Sequence, residues 1–213
     1  MLPDAFIPLA EEIGVISDID AWVLRAACSQ APEWRAAGLP DLLLAVNTSG
    51  RELGRGELVD RVSAVLLETG LPRGRLEIEV TETSAVSQPA AALNELRHLR
   101  HAGITVGIDD FGTGHSSLSR LATFPVDRLK IDRSFLREIK HEQDESPLVA
   151  AMIALAHRLG LQVTAEGVET PEQLAFLRRN RCDLFQGYLF SPPTSPDRFE
   201  ELLRAQQAGG ARR

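Results

Sequence analysis

Thr105-Val106-Gly107-Ile108-Asp109-Asp110 is a short apolar run without polar alternation that ends in two consecutive acids. Continuous β-branched character of this kind suits a parallel strand covered on both faces. Five further runs repeat the pattern: Leu42 to Val46, Leu76 to Thr81, Arg128 to Ile131, Gln162 to Ala165 and Leu184 to Tyr188. Helical stripes stand between them. Leu58, Val62, Val65 and Leu66 form one, and Leu93, Leu96 and Leu99 a second. Leu148, Met152, Leu155 and Leu159 form a third, stopped by Gly160. Thr170-Pro171-Glu172-Gln173 reads as a helix start: a capping hydroxyl, Pro at the first position and Gln three residues after the cap. The class is α/β, with the βα unit repeated six times.

Alternating βα units form either an open doubly wound sheet or a closed (β/α)8 barrel. The strand ends favour the barrel. Asn47, Glu79, Asp109-Asp110, Lys130, Glu166 and Gln186 close the six runs in order. In a barrel these ends converge on one mouth, whereas an open sheet concentrates its chemistry in a crevice beside a switch point.

Asn47, Glu79, Asp109, Asp110 and Glu166 offer hard oxygen donors with no Cys or His among them, a set for Mg2+ or Mn2+ rather than zinc. Consecutive acids at a strand end can serve two metals, and a metal pair about 3.5–4 Å apart suits in-line displacement at a phosphodiester. Lys130 in the same mouth would neutralise phosphate charge, or position and deprotonate the attacking water. The competing reading is that the acids cap helices and pair with Lys130 or an arginine.

Around this centre the chain is ordinary. It has 213 residues, 44% hydrophobic and 25% charged, with a net charge of −7. An acidic surface argues against a protein that coats duplex DNA, which needs a basic face, but leaves room for a small nucleotide held through metal ions. No apolar run is long enough to cross a membrane, and the start Met1-Leu2-Pro3-Asp4 carries no secretory signal. Cys28 and Cys182 read as reduced structural thiols of a cytoplasmic protein. The first forty residues read as two helices, one ending at Gly14 and one capped by Ser17 or Asp18. Trp22 and Trp34 are expected in helix packing, and His98 and His101 on an outer helix surface.

Seven ordered segments resemble the EAL domain family: Phe6 to Glu12, Val46 to Ser49, Glu79 to Glu82, Asp109 to Gly114, Leu129 to Asp132, Ala165 to Glu169 and Gln186 to Tyr188. The resemblance implies a metal-dependent cyclic-di-GMP phosphodiesterase that yields linear pGpG, on a modified TIM-like barrel; some members are instead non-catalytic cyclic-di-GMP receptors or interaction modules. By that resemblance Asn47, Glu79, Asp109, Asp110 and Glu166 are metal ligands of a two-metal Mg2+ or Mn2+ site, with Asp110 serving both ions. Lys130, Glu166 and Gln186 are catalytic, and Glu82 anchors the loop after Asp109-Asp110. Gly112 to Ser117 is that loop, with His115 where the family commonly has Tyr. The family's naming Glu-Ala-Leu motif and the arginine after it have no counterpart here. The implied fold is therefore an incomplete barrel of about six units, its first two strands absent, over a domain 1–204 with a frayed tail 205–213. A homodimer in the cytoplasm is implied as well, with cyclic di-GMP as ligand.

Overall fold

The computed structural model describes residues 3–50, 52–83, 89–112, 121–141 and 143–210. Two helices, α1 (Pro3–Ile13) and α2 (Ile16–Ala36), precede the first strand. Then β1 (Leu44–Thr48), α3 (Leu58–Thr69), β2 (Leu76–Thr81), α4 (Pro89–His101), β3 (Thr105–Phe111) and β4 (Arg128–Ile131) follow. The chain continues through α5 (Pro147–Arg158), β5 (Gln162–Ala165), α6 (Pro171–Arg179), β6 (Leu184–Phe185) and α7 (Pro196–Gly210). Short 3-10 turns at Arg73–Arg75 and Arg133–Leu136 complete the described elements.

The six strands are all parallel and lie in chain order, β1-β2-β3-β4-β5-β6. A doubly wound sheet reverses its order at a switch point; this sheet has none, and it curls into a half-barrel. Every strand end therefore faces one mouth. β2 to β5 are almost wholly buried because helices cover one face and the barrel interior fills the other. The outermost described strands, β1 and β6, both border an apolar groove of about 810 Å³ where Leu44 and Phe185 meet Trp34, Tyr188, Phe190 and Phe199. On its far side α7 is tied to α2 by the Trp34–Phe199 ring contact at 4.8 Å.

The local signals explain most boundaries. Thr170 and Gln173 form a reciprocal capping box at α6, with Pro171 in its first turn. Gly160 and Gly70 take left-handed conformations that end α5 and α3.

Several expectations are corrected. β1 runs two residues later than Leu42–Val46, because pairing starts where Leu44 meets Leu76. β6 keeps only Leu184–Phe185 of the expected run to Tyr188. The α5 stripe is Val149, Met152, Ile153 and Ala156, which leaves Leu148 58% exposed: the buried face is rotated by one residue from the leucine pattern. Neither Ser17 nor Asp18 caps α2, whose preceding residue is Val15 with no side-chain bond. Trp22 is 69% exposed rather than packed. α7 extends into the expected tail as far as Gly210, and residues 211–213 lie outside the described residues. Neither cysteine is in a disulfide; both are buried.

Candidate active site

Parallel strands place residues two apart on the same face. Asn47 on β1 registers with Glu79 on β2, and Lys130 on β4 registers with Thr164 on β5, one step below Glu166. Glu79, Asp109 and Lys130 thus converge inside the barrel from three strands, and Glu166 joins from the turn after β5.

Lys130 is the hub. Its Nζ is bound by Glu79 Oε2 at 2.8 Å, Asp109 Oδ2 at 3.1 Å and Glu166 Oε1 at 2.6 Å. The ammonium is 3% exposed and Glu79 5%, so the cluster sits in a low dielectric where unpaired charge is costly. Burial alone would lower the Lys130 pKa, but Glu79, Asp109 and Glu166 outweigh it and hold the group well above its ordinary value. In this arrangement the three carboxylates hold the Lys130 ammonium in its protonated form. Burial raises the pKa values of Glu79 and Glu166, with the Lys130 charge opposing the rise. Asp110 is raised too, by burial and then by the Asp109 charge.

Asp109 and Asp110 pose a geometric question, because neighbours on a regular strand point to opposite faces. A bulge answers it. The β3–β4 register shifts between Ile108 and Phe111, and Asp110 adopts φ 56°, the left-handed region. Asp110 N–H donates to Asp109 Oδ1 at 2.8 Å, which orients the first acid. Carboxylate oxygens of Asp109, Asp110 and Glu166 consequently lie within 4.8 Å of one another. Three hard oxygen donors at that spacing fit a divalent cation such as Mg2+ or Mn2+.

Glu82 is 3% exposed and accepts the Gly112 N–H at 2.9 Å, immediately after the paired acids. Gly112, at φ 93°, is pressed against Phe135: a Cβ there would lie 2.9 Å from the ring. The rest of the loop, Thr113 to Ser117 with His115, lies outside the described residues. Asn47 is exposed at the mouth beside Glu79. Gln186 is exposed as well; its backbone bonds Ala165 and Val168, and the residue lines the apolar groove. His98 and His101 are exposed on α4, away from the mouth.

Two supports were not read from the sequence. Glu95, buried on α4, accepts the Gly54 and Leu58 N–H groups at 2.6 and 2.9 Å, and Asp20 accepts the Ser49 N–H at 2.9 Å. Together they fix the loop that leaves β1 beside Asn47. The available signal was an acid set between Leu93 and Leu96 on an apolar stripe.

Comparison with known proteins agrees with this geometry. The EAL domain model matches residues 1–193. The cyclic di-GMP phosphodiesterase NbdA of Pseudomonas aeruginosa is 47% identical over 209 residues, covering 98% of this chain and 27% of its own length. This chain thus spans about a quarter of that relative. The solved PaMucR phosphodiesterase in complex with c-di-GMP superposes with a TM-score of 0.87 at 41% identity, over 93% of this chain and 81% of that one. The calcium and cy-diGMP complex of Klebsiella pneumoniae BlrP1 superposes with a TM-score of 0.71 at 34% identity, over 82% of this chain and 44% of that one.

Proposed function

Since the chain belongs to the EAL domain family, we propose that it is a cyclic-di-GMP phosphodiesterase domain, hydrolysing the cyclic dinucleotide to linear pGpG with Mg2+ or Mn2+. The observation that carries this reading is the convergence of Glu79, Asp109 and Glu166 on Lys130, with Asp110 turned onto the same site by the β3 bulge.

EAL domains are metal-dependent, and the donors present fit a hard divalent cation. Asn47, Glu79, Asp109, Asp110 and Glu166 would hold a pair of ions, with Asp110 shared. Such ions polarise the phosphodiester and acidify a water. The protein's own groups do the rest. Asp109 and Glu166 would set the position of the attacking oxygen, and Lys130 would fix those carboxylates and offset charge building on the phosphate. Glu82 holds the loop after Asp110 through Gly112. Gln186, at the rim, would orient the nucleophile from the groove side.

Incubation with Mg2+ or Mn2+ and cyclic di-GMP should give pGpG, followed by chromatography. Absence of product with both ions overturns the reading. A second reading, binding without turnover, is favoured by Gln186, which lines the apolar groove and is not among the described partners of Lys130. Calorimetry with cyclic di-GMP in Ca2+ separates the two: binding with no Mg2+ or Mn2+ turnover assigns a receptor.

We read residues 1–204 as one domain that works as a homodimer in the cytoplasm. Among the described residues no helix is long and apolar enough to cross a membrane. Light scattering with and without cyclic di-GMP tests the dimer, which a strict monomer in both conditions would exclude.

A further inference from the structure

Directly beneath the Lys130 cluster lies a second layer of charge. Glu77 shares its face of β2 with Glu79, and Arg128 shares its face of β4 with Lys130, each pair offset by about 6.6 Å along the strand. Glu77 is fully buried and Arg128 8% exposed, and the two form an ion pair across the barrel interior. Arg128 Nη2 also donates to Gln162 Oε1 at 2.8 Å. β3 stands between the partners, and the sequence makes way there. Gly107 registers with Arg128, and a Cβ at Gly107 would lie 2.6 Å from Glu77 Oε1. A glycine at this position leaves room for the Glu77 carboxylate to pass over β3 to the guanidinium.

A (β/α)8 interior is ordinarily filled by branched apolar side chains, so a buried ion pair at this level calls for a reason beyond packing. The layer above supplies one. It has to accept divalent cations next to an ammonium, and a bare guanidinium two residues below Lys130 would oppose them through a low dielectric. We infer that Glu77 is a positioning residue for the metal site: by pairing with Arg128 it offsets the guanidinium charge beneath Glu79, Asp109 and Lys130, so that the barrel floor does not oppose the incoming ions. This rests on the metal-dependent reading above but not on turnover.

The test is Mn2+ titration by calorimetry on this chain and three variants, with thermal melting in parallel. Glu77→Gln leaves the floor cationic and should weaken Mn2+ binding by about tenfold. Arg128→Met removes the cation and should bind Mn2+ at least as tightly as the parent. The double variant Glu77→Gln/Arg128→Met has a neutral floor and should match the parent. A pair that only supports the fold would move both single variants in the same direction, tracking their melting temperatures. Weaker binding by Arg128→Met, a double variant unlike the parent, or a parent that takes up no Mn2+ overturns the inference. Should Glu77→Gln fail to fold, the Arg128→Met and double variants still decide it. Loss of cyclic-di-GMP hydrolysis in the parent with the Mn2+ pattern intact sinks the phosphodiesterase reading and leaves this one standing.

Discussion

Lys130 shows how strongly one side chain depends on its company. A buried lysine is expected to lose its proton more easily, yet three carboxylates within 3.1 Å reverse the sign. Its ammonium engages all three carboxylates, and Lys130→Met should lower the rate of cyclic-di-GMP hydrolysis by about 100-fold or more while the chain remains folded in Mn2+. A rate within a few fold of the parent would remove Lys130 from the machinery. The thiols make a simpler case. Burial pushes both Cys28 and Cys182 up to about 11, so at pH 8 little thiolate exists and neither is open to solvent. A chromogenic thiol reagent should find almost no reactive group in the native chain and two after denaturation; rapid native labelling would contradict the burial.

At the scale of elements, β3 carries the most. Its glycine makes room for the Glu77–Arg128 pair, its bulge turns Asp110 beside Asp109, and its exit is fixed by Glu82. Each feature departs from a regular strand, and each sits where the site needs it. Gly107→Ala tests the first. The added methyl meets the Glu77 carboxylate at 2.6 Å, and relief by shifting that group breaks a buried pair. The expected destabilisation is about 1–3 kcal/mol, read from urea unfolding, although alanine normally favours strand backbone over glycine. A neutral or stabilising outcome would mean the Glu77 side chain moves aside freely.

Across the whole molecule, charge is polarised along the barrel axis. Acids crowd the mouth, while the last turns of α4, α5 and α6 carry His98, Arg100 and His101, then His157 and Arg158, then Arg178 and Arg179. The arginines there complement the helix dipoles. The acidic mouth has a consequence for stability. Glu79, Glu166 and Asp110 are raised above their ordinary values, so between those values and the raised ones the folded chain holds protons that the unfolded chain gives up. Their contribution is fully present at low pH and is lost as pH rises through the folded values. Without metal, then, the melting temperature should fall as pH climbs from about 4.5 towards neutrality; divalent ions should reverse the fall, by about 2.7 kcal/mol at a hundredfold excess over their dissociation constant. A metal-free melting temperature that rises steadily over that range, or one indifferent to Mn2+ at pH 7, would contradict the site. Much of this was legible beforehand. Six apolar runs ending in polar groups specify parallel βα units, because strand and helix periods are local properties of the chain, and Asn47, Glu79, Asp109, Asp110, Lys130 and Glu166 are marked by their place at strand ends. The one-residue rotation of α5, the exposure of Trp22 and the displacement of Gln186 towards the groove were not legible, since each depends on which neighbour covers a face. Nor could sequence spacing reveal that Lys130 is pinned as a cation, that a bulge unites two consecutive acids, or that Gly107 admits an ion pair between β2 and β4. Periodicity determined the elements and the candidate ligands; only packing brought side chains from several strands within hydrogen-bond distance, where burial and mutual charge fix what each one does.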